Sequence, residues 1–173
     1  MQHLSSIEAA NEKVLEDMQV FFSAVSEHIP ANLSSTEVGL RSLRNLRSEL
    51  YENLNQIQHE LLIVNAMQWL QQNGYADSVV NWYWNPRQTG DANEPDIRGV
   101  SDNGKILISG EATTSEKPQG VIDTRMRNTL RKLNTFEGEK FYFVRTQAMK
   151  ARASTKCRKA GFSILVEAIE SET

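Results

Sequence analysis

Apolar side chains in residues 1–70 recur at intervals of three and four, the spacing of one face of an α-helix. The first stripe consists of Ile7, Val14, Met18, Phe21 and Val25. A second stripe alternates between the two spacings, as a heptad seam does, with only Arg47 out of pattern. Its members are Leu40, Leu43, Leu50, Leu54, Ile57, Leu61 and Val64. We therefore expect two helices, separated by the helix-breaking segment 29–35.

Serine and glutamate at capping-box spacing mark the start of each helix. Ser5 stands three residues before Glu8, and Ser34 three residues before Glu37. The second helix is expected to end at Asn73-Gly74, a glycine-based cap. The two apolar stripes can pack on each other as a helical hairpin or pair with a second copy of the chain, and the sequence leaves both alternatives open.

The pattern changes after residue 74 to short segments rich in β-branched and aromatic residues. Strands are expected at 78–84, 96–101, 105–113, 140–146 and 162–169, and helices at 124–136 and 146–159. Asn103-Gly104 is the strongest hairpin signal and predicts a two-residue turn. The order of elements predicts an α/β fold, in which a mixed sheet is flanked by helices and an antiparallel meander is followed by parallel crossovers.

Size and composition exclude several classes of protein. A chain of 173 residues buries a core without disulfides or metals as staples. The single cysteine, Cys157, excludes a disulfide framework and a cysteine-based zinc site. No apolar run reaches membrane-spanning length, so no membrane partner is expected. The N-terminal residues lack a basic-then-apolar signal pattern, which favours a cytoplasmic location.

Charge is strongly segregated along the chain. Residues 1–116 carry 16 acidic and 7 basic side chains, whereas residues 117–159 carry 12 basic and 3 acidic ones. A basic stretch in an otherwise acidic protein is typical of a surface that binds a polyanion, most often nucleic acid. A solvated helical surface would show the same composition. The charge pattern therefore supports nucleic-acid binding only if another feature of the sequence points to phosphate chemistry.

The predicted hairpin brings two carboxylates together. A two-residue turn at Asn103-Gly104 places Arg98 opposite Ser109, Val100 opposite Leu107 and Asp96 opposite Glu111, with Cβ atoms roughly 5 Å apart in each pair. Like charges so placed repel, and a shared proton, an adjacent Arg or Lys, or a divalent cation would compensate them. Asp96 and Glu111 form a hard-oxygen site of the kind that Mg²⁺ or Mn²⁺ prefers. The alternative is a solvated Asp96 and a Glu111 paired with Arg98.

Glu94-Pro95-Asp96, the hairpin, and then Gly110-Glu111-Ala112-Thr113 resemble the core motif of the PD-(D/E)XK, or restriction-endonuclease-like, nuclease superfamily. The order of elements resembles that fold over residues 56–166. The resemblance implies that Asp96 and Glu111 are the metal ligands and that Glu60, on the preceding helix, is an auxiliary carboxylate.

Thr113 stands where the family has its catalytic lysine, and a hydroxyl cannot supply that positive charge. Lys117, in the following loop, is the first candidate to replace it, with Arg125 or Arg127 on the next helix after it. His59, beside Glu60, is interpreted as an exposed helix histidine.

The resemblance and the charge pattern together predict a Mg²⁺- or Mn²⁺-dependent DNA endonuclease. Residues 1–55 are expected to form a helical hairpin arm that makes a homodimer, and residues 56–173 the nuclease core. Arg125, Arg127, Arg131 and Lys132 are expected to bind the nucleic acid. One alternative is a catalytically weak or inactive module of the same fold that binds nucleic acid or assembles with partners. A second is a structural helical dimer in which the carboxylates have no role.

Overall fold

The structure, a computed structural model, describes residues 1–27, 34–86 and 93–169. Within these ranges the elements are β1 (Gln2–Leu4), α1 (Ile7–Glu27), α2 (Thr36–Gln72), β2 (Asn81–Trp84), β3 (Ile97–Val100), β4 (Ile106–Thr113), α3 (Val121–Asn134), β5 (Glu139–Val144), α4 (Gln147–Ala160) and β6 (Leu165–Ala168). The α/β class predicted from the sequence is confirmed. The predicted helix break at 29–35 and the loop before residue 96 lie partly outside the described residues.

The six strands form one mixed sheet in which spatial order follows chain order. Strands β1 to β4 are antiparallel neighbours, whereas β4, β5 and β6 run parallel. The expected meander followed by parallel crossovers is therefore confirmed. Strand β1 was not predicted from the sequence, because three residues are too few to show an alternating pattern.

Helices cover both faces of the sheet. Alternation along β5 separates the two sides, since Phe141 and Phe143 join the core formed with α1 and α2, and Tyr142 and Val144 join the core formed with α3 and α4. No described helix combines the length and the apolarity that crossing a bilayer requires.

The serine caps lie one residue later than predicted. The hydroxyl of Ser6 accepts the N–H of Ala9 at 3.1 Å, and that of Ser35 accepts the N–H of Val38 at 3.3 Å. Helix α3 begins at residue 121, three residues earlier than expected. Helix α4 ends at a C-terminal cap formed by Gly161, whose φ of 69° gives it the left-handed conformation typical of such caps.

The long helix α2 links the predicted arm to the sheet without a break. It runs continuously through residue 55, where the sequence suggested a boundary, and the first turns of α1 (Ile7 and Val14) lie in the core beside the sheet. Helix α1 packs on α2, as a hairpin would. The seam of α2 is buried at Ile57 and Val64, but Leu43 is 64% exposed. The N-terminal half of the seam is therefore uncovered in a single chain.

The β3–β4 hairpin keeps the predicted register except beside its turn. Ile97 lies opposite Gly110 and Arg98 opposite Ser109, as expected. A bulge after Gly99 then places Val100 opposite Ile106, so the predicted pairing of Val100 with Leu107 is wrong. The hydroxyl of Ser101 accepts the N–H of Lys105 at 3.1 Å, which lengthens the turn beyond two residues. Because the bulge lies on the turn side of this register, the pairing toward Asp96 is unaffected.

Candidate active site

Asp96 and Glu111 lie together at the end of the β3–β4 pair that is remote from the turn. Asp96 directly precedes β3, and its Oδ2 accepts the N–H of Ala112, the residue after Glu111, at 2.8 Å. Both carboxylates are buried, with 4% and 7% of their surface exposed. The sequence predicted this juxtaposition but placed it beside a polar surface. Helix α3 covers this end of the sheet, so the two acids are enclosed instead.

Lys132, on α3, supplies the positive charge nearest to the pair. Its Nζ lies 2.8 Å from Oε1 of Glu111 and donates to the backbone carbonyl of Glu94 at 2.8 Å. The ammonium group therefore joins the segment before Asp96 to strand β4. Glu111 pairs with Lys132 and not with Arg98, which was the alternative partner in the hairpin.

His59, on α2, contacts the other carboxylate. Its Nε2 lies 3.3 Å from Oδ2 of Asp96, and only 8% of the residue is exposed. Burial by itself lowers the pKa of His59, but the hydrogen bond and charge of Asp96 and the carbonyl of Pro86 outweigh it and raise that pKa above its ordinary value. The interpretation of His59 as an exposed histidine is wrong.

The two buried acids resist being charged at the same time. Burial, followed by the negative charge of Asp96, raises the pKa of Glu111 from 4.5 to about 7, although Lys132 and His59 act in the opposite direction. One ammonium group does not fully compensate two enclosed carboxylates, so the site favours an additional positive charge or a proton at neutral pH.

Thr113, the last residue of β4, is held by Tyr142. The phenolic hydroxyl of Tyr142 donates to Oγ1 of Thr113 at 2.9 Å. Burial, and then the nearby carboxylates, raises the pKa of Tyr142 to about 12, so the phenol stays a neutral donor. Thr113 thus has a hydrogen-bonding role within the fold, and it brings no charge to the site.

A cleft of about 470 Å³ opens beside Glu111, between β4 and α3. Its walls are unusually rich in hydroxyl groups and include one cation, Arg125. The lining residues are His59, Glu111, Ala112, Thr113, Thr114, Ser115, Ile122, Arg125, Met126 and Thr129. Hydroxyl donors and an arginine beside two carboxylates suit an oxyanion such as a phosphodiester.

Several predicted site residues lie elsewhere. Glu60 is fully buried in the wall of a separate cavity between α1 and α2, where Gln56 donates to its Oε1 at 3.2 Å. Lys117 is exposed in the loop after β4 and does not line the cleft. Arg127 and Arg131 line a groove on the other side of α3. Of the three proposed substitutes for the lysine, only Arg125 borders the cleft.

The sequence assigned Lys132 to nucleic-acid binding and His59 to an exposed surface, and did not predict that both contact the carboxylate pair, although periodicity held a signal for each. Lys132 follows Arg125 by seven residues, or two helical turns, and therefore shares its flank of α3. His59 precedes Ile63 by four residues and Ala66 by seven, and both of these are fully buried. Helical spacing thus placed His59 on the buried face of α2.

The donor set available to a metal is small. Within residues 1–27, 34–86 and 93–169, no group of three or more His, Cys, Asp or Glu side chains is arranged to hold a metal ion. Two carboxylates remain, Asp96 and Glu111, which suit a cation that keeps most of its water ligands, as Mg²⁺ does.

Comparison with protein-family models, curated proteins and solved structures gives no match for this chain.

Proposed function

We propose that this protein is a metal-dependent DNA endonuclease with a PD-(D/E)XK, restriction-endonuclease-like core. The observation that carries the proposal is the enclosed pair of carboxylates, Asp96 and Glu111, with the ammonium of Lys132 2.8 Å from Glu111. Burying two acids side by side is costly unless a cation compensates them. A structural role alone gives no reason to retain both.

The topology supports the fold assignment. Helix α2 precedes the meander β2–β3–β4, and α3 followed by the parallel strand β5 comes after it. Pro95 and Asp96 stand directly before the second strand of that meander, and Glu111 lies near the end of the third. These are the places at which the superfamily carries its metal ligands.

The carboxylates fit the implied Mg²⁺ or Mn²⁺. Both donors are enclosed and are the hard oxygens that these ions prefer, which supports a cation between them. Asp96 and Glu111 would hold the ion. When bound, it would activate a water molecule and neutralise charge on a scissile phosphate.

The other side chains have distinct roles in this proposal. Lys132 donates to the backbone carbonyl of Glu94 and forms an ion pair with Glu111, so its charge is placed to meet a phosphate oxygen beside the carboxylates. It takes the role of the family's lysine, which the sequence assigned to Lys117. His59 orients Asp96, and Arg125 with the hydroxyls of the cleft binds the phosphate and its neighbours.

Cleavage assays test the proposal directly. Purified protein is incubated with duplex, branched and single-stranded DNA, with Mg²⁺, with Mn²⁺, and with a chelator. We expect nicking or cleavage only with metal, and its loss in Asp96→Ala and in Glu111→Ala. Gln68→Ala, an exposed change on α2, is the matched control and keeps the activity.

The alternative is a nucleic-acid-binding or assembly module of the same fold. Two observations favour it: the neutral Thr113 stands at the position of the superfamily's catalytic lysine, and Glu111 already forms an ion pair with Lys132. Protein that binds metal and DNA, yet cuts none of the substrates, would establish this function in place of the nuclease.

We also propose that the arm makes a homodimer. The uncovered half of the α2 seam continues the half that is buried by the same chain, with Leu40 50% and Leu43 64% exposed. A second α2 placed antiparallel, with its centre near residue 48, sets Leu43 against Leu54 of the partner subunit and Arg44 close to Glu52 of the partner subunit. This register brings apolar side chains and opposite charges of the two copies together on either side of the two-fold axis.

Light scattering after size exclusion tests the dimer. The mass expected of the wild type is twice 19.6 kDa. Leu43→Asp should give the monomer mass, whereas Val80→Asp, at a comparably exposed apolar residue outside the arm, should leave the dimer intact. A wild-type protein that is monomeric at high concentration would overturn this part of the proposal.

A further inference from the structure

A second basic surface lies between α3 and α4, away from the carboxylates. It is a groove of about 220 Å³ with an apolar floor and cationic walls. The floor consists of Leu130, Ala160 and Phe162, and the walls of Arg127, Arg131, Lys156 and Lys159. None of these described lining residues is acidic.

Helical geometry separates this groove from the cleft. At 3.6 residues per turn, Arg125, Thr129 and Lys132 point to one flank of α3, and Arg127 and Arg131 to the opposite flank. The two surfaces are therefore about 10–12 Å apart, the width of one helix. The sequence grouped these cations as one nucleic-acid-binding set, whereas the fold divides them between two places.

Three of the four groove cations are available to a ligand. Among the described residues no acidic side chain forms an ion pair with Arg127, Arg131 or Lys159, and all three are exposed. Lys156 is anchored by Asp123 at 2.9 Å, and Asp123 also holds Arg152 at 2.7 Å. These two ion pairs of Asp123 join α3 to α4 and so set the spacing of the two walls.

We propose that the α3–α4 groove is a second nucleic-acid contact that binds the phosphates of DNA extending beyond the cleft. The class of ligand rests on the proposed function. Along each wall, cations three or four residues apart span about 6 Å of helix, which corresponds to roughly two phosphates of one strand at 3.4 Å each. The apolar floor, with partly buried Phe162, receives the sugar edges between the phosphates.

Such a groove makes affinity depend on the length of the DNA. A single strand of about three nucleotides, roughly 10 Å long, fills only the cleft, whereas a longer duplex reaches across α3 and gains the contacts of the groove. An acidic protein segment would also satisfy the charge, but it gives no reason for the groove to lie one helix width from a phosphodiester site.

The test compares DNA binding without metal, so cleavage plays no part in the result. Dissociation constants are measured over a range of salt for a single strand of about 3 nucleotides and a duplex of about 24 base pairs, or roughly 10 and 80 Å in length. The test variant is Arg127→Ala/Arg131→Ala. Its control is Lys105→Ala/Arg158→Ala, which removes the same charge at exposed residues outside the groove.

We expect the groove variant to lose at least tenfold in affinity for the long duplex, and to lower the dependence of log affinity on log salt by about two. Its affinity for the short single strand stays within about threefold of the wild type, as does that of the control for both ligands. Equal losses for both lengths, or an equal loss in the control, would overturn the proposal. Stronger competition by polyglutamate than by DNA would assign the groove to an acidic protein instead. A protein that cuts nothing but shows the length effect would fail the nuclease proposal and keep this one.

Discussion

The ammonium nitrogen of Lys132 lies 2.8 Å from Oε1 of Glu111, although the two residues belong to different elements and are 21 positions apart. Strand β4 fixes the position of Glu111 and helix α3 fixes that of Lys132, so the packing of the two elements brings the side chains together. The contact gives the site the positive charge that Thr113 does not provide.

Replacement of Lys132 should remove most of the catalytic rate. Lys132→Ala is expected to lower single-turnover cleavage by about 100- to 1000-fold, as does the loss of other groups that stabilise developing charge. Because Lys132 lowers the pKa of Glu111, its removal should also displace the pH–rate profile. Lys117→Ala, which removes an exposed lysine near the cleft, should stay within about threefold of the wild type. The opposite ranking of these two variants would return the catalytic role to Lys117.

The stability of the metal-free protein should fall as pH rises from about 4.5 to about 7. Over this range the native state keeps a proton on Glu111 that the unfolded chain has released, because the native pKa is the higher one. Glu111→Gln mimics the protonated form and should unfold at higher urea than the wild type at pH 8, by roughly 3 kcal/mol. The difference should vanish near pH 4. Glu116→Gln, at an exposed carboxylate, should show no such trend.

The contact between His59 and Asp96 should also lose its stabilising effect as pH rises, but over a higher range of pH. The pKa of His59 is raised in the native state, so its stabilisation is complete below the ordinary value of 6.5 and is lost as pH rises through the native value. His59→Gln should therefore cost most stability near pH 5.5 and progressively less above neutrality. Urea unfolding at several pH values measures this, with the exposed His3→Gln as control. A constant difference at every pH would mean that His59 contributes packing and no charge.

Loss of the Thr113 hydroxyl should destabilise the fold through Tyr142. Thr113→Val leaves a buried phenolic donor without its 2.9 Å acceptor, at a cost of about 1–3 kcal/mol. The cost should largely disappear in the background of Tyr142→Phe, which removes the donor as well. Additive effects of the two changes in thermal unfolding would contradict this coupling.

A metal ion should stabilise the wild type specifically through the carboxylate pair. Mg²⁺ in excess is expected to raise the melting temperature, because a ligand that binds only the native state adds RT ln(1 + [L]/Kd) to its stability. Asp96→Asn should abolish this increase, and Asp102→Asn, at an exposed residue of the turn, should retain it. An equal increase in both variants would show that the ion binds elsewhere.

The sequence by itself determined the described elements other than β1, and it placed Asp96 beside Glu111. That pairing is local, because a turn only a few residues away sets which side chains face each other, and the hydrogen-bond ladder carries the register along the strands. Even the unpredicted bulge at Val100 left the register at Arg98 and Ser109 as expected.

Only the tertiary structure decided which groups surround the pair. The positions of Lys132 and His59 depend on how α3 and α2 pack against the sheet, and packing joins residues 21 and 37 positions from their partners. Helical spacing can tell which side chains share a face, as it does for Arg125 and Lys132, but it cannot tell what that face meets. The same limit explains why Arg127 and Arg131 lie in a groove of their own. The surface that each charged side chain of a helix faces is decided only when the rotation of that helix against the sheet is fixed.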